Sequence, residues 1–183
     1  MGSSRIQWPH STATVHQALM ANIRLIDASE VEEVSKLAHQ IWPDTFRDIL
    51  KPEQLQCMLE WMYNLDTLKQ QFHEGQQFYA VKENDRFIGF TAIELHHPER
   101  ENVKIHKLYV LPEFHGKGIG FALVDQVKVV ALSEKMKTIL LNVNRFNSAV
   151  SFYEKYGFRT VKEEVIDIGN GFVMDDFVME KTI

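Results

Sequence analysis

The sequence holds a single cysteine, Cys57, which excludes an internal disulfide framework and any cysteine-based metal cluster. A reducing, cytoplasmic setting follows. Cys57 lies between Gln56 and Met58 in a helical pattern, so a packed thiol is expected there rather than a nucleophile. No apolar run approaches the roughly 20 residues of a membrane span. There is no excess of basic residues either. The formal net charge is −5, which argues against nonspecific nucleic-acid binding and suits cationic small-molecule partners. His96-His97 and the six other histidines show no H-E-x-x-H spacing, so no metal is inferred. Internal repeats and low-complexity segments are missing too. What remains is a chain of 183 residues, 45% of them hydrophobic, enough for one domain with a sizeable core.

Residues 1–19 lack periodicity and carry no apolar stretch of the kind a signal peptide needs. They read as a flexible extension, with a single domain over 20–183. A first strand is predicted over 23–26. Ser29 with Glu32 makes a capping box for a helix whose apolar face is Val31, Val34, Leu37, Ala38 and Ile41, interrupted at Trp42-Pro43. Helical pieces follow over 45–50, 52–62 and 66–73. The pattern then switches to a hairpin, with strands over 77–81 and 87–95. A strand over 103–111, a helix over 119–132 and a strand over 138–143 form one unit, which predicts a parallel pair joined by a right-handed crossover. Asn147 caps a further helix that ends at Gly157. A second hairpin, turning at Gly169-Asn170-Gly171, closes the chain. The fold class is α/β with a mixed sheet.

Residues His115-Gly116-Lys117-Gly118-Ile119-Gly120 sit between the strand over 103–111 and the next helix. A glycine turn brings backbone close to a ligand, and a helix start offers unpaired N–H groups and partial positive charge. Together they suit a phosphate or pyrophosphate. A Walker loop fails because Leu111 and Gly118 stand where glycine and Ser/Thr are needed. A G-x-G-x-x-G fingerprint fails because Phe121 or Leu123 falls at its third glycine. A glycine turn without a ligand is the alternative.

The segment from Val110 and Pro112 through His115-Gly116-Lys117-Gly118-Ile119-Gly120 resembles the acetyl-CoA motif of the GNAT superfamily of N-acetyltransferases, with His115 where Arg or Gln is usual. Downstream, Asn147, Ala149, Phe152, Tyr153, Gly157 and Phe158 resemble that family's Ala-x-x-Phe-Tyr-x-x-x-Gly-Phe segment and its upstream Asn. Ile41-Trp42-Pro43, His106-Lys107-Leu108-Tyr109-Val110, Leu141-Asn142-Val143-Asn144-Arg145 and the stretch over 167–179 are similar to the bacterial PaiA-type branch, which includes enzymes acetylating spermidine and spermine.

The resemblance implies a mostly antiparallel sheet, flanked by helices, with a central splayed parallel pair that admits the pantetheine arm. It implies acetyl-CoA as co-substrate and a small-molecule amine, polyamine-like, as acceptor, with direct attack in a ternary complex. The implied cofactor set is Leu108, Tyr109, Val110, His115, Gly116, Lys117, Gly118, Ile119, Gly120, Asn142, Asn147, Tyr153 and Lys155. At position 115 the backbone N–H is expected to serve the pyrophosphate, with the imidazole as a further donor. Tyr153 is the expected proton donor to the leaving thiolate. An alkyl amine, with a pKa of about 10.4, is mostly protonated at neutral pH, so a base is needed. Glu94 and His106 are the candidates, each with a purely structural role as its alternative. A backbone N–H near Tyr109 or Val110 is expected to hold the developing oxyanion. Asp175 and Asp176 are candidates for attracting a cationic acceptor, or are ordinary strand charges. Trp42 and Trp61 line the pocket or fill the core. A homodimer is common among such proteins. An acetyltransferase for a protein N-terminus or lysine, and a noncatalytic acetyl-CoA-binding regulator, stand as the competing readings.

Overall fold

The computed structural model describes residues 12–183. Seven strands form one sheet in the order β1-β2-β3-β4-β5-β7-β6. They are β1 (Ile23–Leu25), β2 (Gln77–Glu83), β3 (Arg86–Leu95), β4 (Asn102–Val110), β5 (Thr138–Asn144), β6 (Arg159–Gly169) and β7 (Phe172–Thr182). Every neighbouring pair is antiparallel except β4 and β5. Those two pair only from Asn102–Thr138 to Ile105–Leu141 and then part, although both strands continue. The expected splay is therefore present. A bulge adds to it: Ala92 faces Lys107 and Ile93 faces Ile105, leaving His106 as the extra residue on β4.

Local chemistry sets the turns. Asn84 and Asp85, at φ of +49° and +64°, make the two-residue turn between β2 and β3, where both central residues need positive φ. Helix α2 (Val31–Thr45) is preceded by a capping box of Asp27 and Glu30, not the expected Ser29 and Glu32. Asp27 accepts the Ser29 N–H at 2.8 Å, so a short 3-10 turn comes first and the helix starts at Val31. Pro43 does not interrupt α2. The Phe46 N–H still reaches the Trp42 carbonyl at 2.9 Å, and the Trp42 and Phe46 rings lie 4.5 Å apart, so packing outweighs the hydrogen bond that proline lacks. Residues 46–51 are turns rather than a further helix. Helix α3 (Pro52–Met62) begins on its proline, and α4 (Leu65–His73) on Asn64, which accepts the Thr67 N–H.

Helix α1 (Thr12–Ala21) revises the predicted extension. The part of residues 1–19 that falls on 12–19 is helical, and residues 1–11 lie outside the described residues. Ten residues make a marginal helix alone. This one is held by tertiary contacts: Leu19 is buried, and His16 Nε2 lies 3.0 Å from Asp125 Oδ2 on α5 (Ile119–Ser133). Burying one leucine is worth about 1.5–3 kcal/mol, enough to settle so short a helix.

The sheet separates two layers. Phe72 of α4 stacks on Phe78 of β2, and Trp42 of α2 lies against Tyr109 of β4, on one face. Gly89 of β3 faces the other way, beneath Ile119 of α5. Helix α6 (Ala149–Tyr156) lies between β5 and β6 in the chain and ends at Gly157, φ +99°. Among the described residues, no helix is long and apolar enough to cross a membrane.

Candidate active site

The glycine turn opens a cleft of about 660 Å³ lined by Leu108, Tyr109, Val110, His115, Gly116, Gly118, Ile119, Gly120, Asn147, Phe152 and Tyr153, among others. Gly116 and Gly118 take φ of +75° and +81°, which side chains disfavour. Gly118 is the N-cap of α5 and places no side chain over the helix end. The first intrahelical bond runs from Ala122 N–H to the Gly118 carbonyl, so the N–H groups of Ile119, Gly120 and Phe121 have no intrahelical acceptor. They edge the cleft at the positive end of a 15-residue helix. Gly120 serves packing instead: a Cβ there would meet the Phe152 ring at 3.2 Å. The turn and the cleft beyond it fit a pyrophosphate followed by a long arm.

Where β4 and β5 part, a second cavity of about 140 Å³ opens toward α2 and α3. Its wall includes Trp42, Met58 and Met62 from the helices, Phe46 and Leu50 from the turns between them, His106 from β4, Asn142 and Asn144 from β5, and Met174 and Asp176 from β7. Leu108, Tyr109, Asn147, Ala149 and Tyr153 line both spaces. The two spaces therefore adjoin at these five residues, Tyr109 and Tyr153 among them.

Burial controls the charges here. The Tyr153 phenol is pushed well above the ordinary tyrosine range by burial, and Tyr109 is pushed up to about 12 by the same cause. Both stay protonated at neutral pH and can donate. His106 Nε2 lies 2.8 Å from Glu94 Oε2. The carboxylate accepts, so the neutral ring carries its proton on Nε2 and leaves Nδ1 with a lone pair. Burial lowers His106 to about 4, outweighing the upward pull of Glu94. Glu94 Oε1 also lies 3.3 Å from His97 Nδ1. Lys107 is buried, donates to Gln71 Oε1 at 2.9 Å, and is held down to about 8 by desolvation. On β7, Asp175 accepts from Arg145, just past β5, at 2.6 Å, whereas Asp176 is buried with Oδ1 unpartnered among the described residues. Burial pushes Asp176 up to about 6.

Several expected site residues sit apart from the cleft. Asn142 donates to Glu164 at 3.2 Å and lines the smaller cavity instead. Lys117 lies over the Phe114 ring, 4.3 Å from its centre, and Lys155 is exposed on α6; neither lines either space. His115 lines the cleft, but its backbone N–H goes to the Pro112 carbonyl at 3.0 Å and its Nε2 to the Val110 carbonyl at 2.8 Å. That leaves neither donor free for a phosphate and passes the role to the N–H groups at the helix start. Asn147 precedes Ser148, the N-cap of α6, rather than being the cap itself; its side chain accepts the Ala149 N–H at 2.9 Å, and it lines both spaces. Glu94 lines neither space and touches the acceptor side only through His106. Trp42 lines the smaller cavity, while Trp61 is exposed. Tyr109 stands in the cofactor set the resemblance implies, but the part its side chain plays in both spaces and the bulge at His106 are not foreseen. A bulge has no local signature.

An anion cradle at the head of one cleft, with proton-donating phenols shared with a second cavity, defines a site for group transfer between two substrates. The acetyltransferase (GNAT) domain family matches residues 46–181, and the chain belongs to that family. A spermidine N(1)-acetyltransferase of Thermoplasma acidophilum is 25% identical over 165 residues, covering 87% of this chain and 95% of that protein. A peptidyl-lysine N-acetyltransferase of Escherichia coli is 31% identical over 116 residues, 62% of this chain and 71% of its own length. Among solved structures, the PaiA N-acetyltransferase from Thermoplasma acidophilum in complex with coenzyme A superposes with a TM-score of 0.75 at 23% identity, covering 88% of this chain and 98% of that one. The protein is an N-acetyltransferase, and acetyl-CoA is its donor.

Proposed function

We propose that the protein moves the acetyl group of acetyl-CoA onto a primary amine of a small molecule, with polyamines such as spermidine and spermine as the favoured class. The observation that carries this reading is the junction of the two spaces at Tyr109 and Tyr153. The larger cleft takes the donor, with its pyrophosphate on the N–H groups at the start of α5. The smaller cavity takes the acceptor. Its size, about 140 Å³, and its cover of α2 and α3 side chains suit a slender amine better than a peptide.

Each residue then has a task. Tyr153 donates a proton to the departing sulfur. His106, oriented through Nε2 by Glu94, is the candidate relay by which the incoming ammonium loses its proton to water, since burial makes the imidazole too weak a base to keep it. Backbone N–H groups of β4 beyond Ile105 are released from β5 and are available to the developing oxyanion and the pantetheine arm. The test is free-CoA release with acetyl-CoA and a panel of spermidine, spermine, diamines, amino acids and a lysine peptide. Turnover concentrated on the polyamines is expected. Turnover confined to the peptide would overturn the acceptor assignment, and acetyl-CoA binding without transfer to any amine would overturn the catalytic one.

A further inference from the structure

Asp176 is about 2% exposed, and its Oδ1 has no hydrogen-bond partner among the described residues. A buried carboxylate oxygen without a donor is costly, and such atoms are normally satisfied. This one lines the acceptor cavity. It lines that cavity and not the cofactor cleft, and its charge reaches the Tyr109 phenol. The same cavity wall carries Phe46, Met58 and Met62. The site thus offers an apolar wall and an unpaired buried carboxylate, whereas the attacking amine itself must be neutral, so the cation that suits Asp176 is a second one.

The surrounding charges leave Asp176 free for a ligand. Asp175, its neighbour on β7, is taken by Arg145. Glu164, opposite it on β6, is engaged by Lys162 and Asn142. Asn144 faces it from β5 and is uncharged. Lys104 is the cation that acts on Asp176 from β4, without an ion pair between them among the described residues. His106 lines the same cavity but is hydrogen-bonded to Glu94, and Lys107 is spent on Gln71.

We propose that Asp176 binds a second ammonium group of the acceptor, so that the protein selects diamines and polyamines over monoamines of matched length. The alkyl spacer is buried against methionine and phenylalanine, surfaces that adapt to unbranched chains. The distal ammonium supplies the missing donor and the opposite charge, which a desolvated carboxylate rewards strongly. This inference deepens the acetyl-transfer reading and rests on it.

The test compares kcat/KM for 1,4-diaminobutane with that for 1-aminopentane, in wild type and in Asp176→Asn. A wild-type preference for the diamine of about tenfold or more, falling to about one in the variant, is expected. A wild-type ratio near one, or a ratio unchanged in Asp176→Asn, would overturn the proposal. Should the variant fail to fold, the wild-type ratio still decides, and its decline as pH falls below about 6 is the expected signature of Asp176 protonation. Calorimetric titration of 1,4-diaminobutane into the CoA-loaded protein reads recognition without turnover. Binding by wild type that is lost in Asp176→Asn supports the anchor even where no acetyl transfer is seen, a case that would sink only the acetyl-transfer reading. No binding and no diamine preference would sink the anchor.

Discussion

Burial favours the neutral form of both Tyr153 and Asp176, with opposite consequences. For Tyr153 the neutral form is the useful one, because a phenol that keeps its proton can give it to a leaving thiolate. Tyr153→Phe removes the proton and keeps the ring packing against Phe152 and Phe158. A fall in kcat of about 100-fold or more is expected, with little change in acetyl-CoA affinity, measured by steady-state kinetics and titration. For Asp176 the neutral form is the one its recognition role cannot use. Its carboxyl is raised from 3.8 to about 6, so between those values the folded protein binds more protons than the unfolded chain. Stability therefore falls as pH rises through that window, and the penalty is complete above about 6. Asp176→Asn removes it. The variant is expected to be more stable than wild type by about 1–3 kcal/mol at pH 7, with the gain vanishing near pH 4, in urea unfolding at both pH values. A variant less stable than wild type at pH 7 would contradict this picture of a buried, unsatisfied charge.

Helix α5 and the turn before it do the donor-side work. Gly118 holds φ +81° as the N-cap, and its place against Leu19 ties the turn to α1. Gly118→Ala is expected to cost about 1–2 kcal/mol in the left-handed backbone, or to shift the turn and weaken acetyl-CoA binding severalfold, checked by thermal unfolding and calorimetry. The strand–turn–helix order here was legible in the sequence because glycine spacing and apolar runs are local signals. Helix α1 was not, since its support comes from Leu19 burial and the His16–Asp125 contact, both written partly in α5. The capping box before α2 lies two residues earlier than expected because Asp27 and Ser29 are both good caps, and only the path out of β1 chooses between them. Pro43 reads as an interruption, yet the tilted contact of Trp42 with Phe46 carries the helix past it.

At the scale of the molecule, the site is what appears when the central strands stop pairing. The pairing of β4 with β5 ends at Ile105 and Leu141, and both spaces form beyond that point, the smaller one under α2 and α3. The sequence pattern predicted the parallel pair and, through the family resemblance, its splay. It could not say which of Asp175 and Asp176 faces inward. Adjacent strand residues point to opposite faces, and the register of β7 against β6 shifts at two irregular places. Nor could it say that Glu94 would meet His106, because the bulge that brings them together is a property of the paired strands. Cys57, the chain's one cysteine, lines neither space, so no acyl-cysteine step is available at the junction, and direct transfer with both substrates bound is the proposed route. Initial rates over a matrix of acetyl-CoA and spermidine concentrations test this most directly. Double-reciprocal lines that intersect are predicted, as direct transfer in a ternary complex requires, and parallel lines, the mark of an acetylated enzyme that releases CoA before the amine binds, would contradict the account.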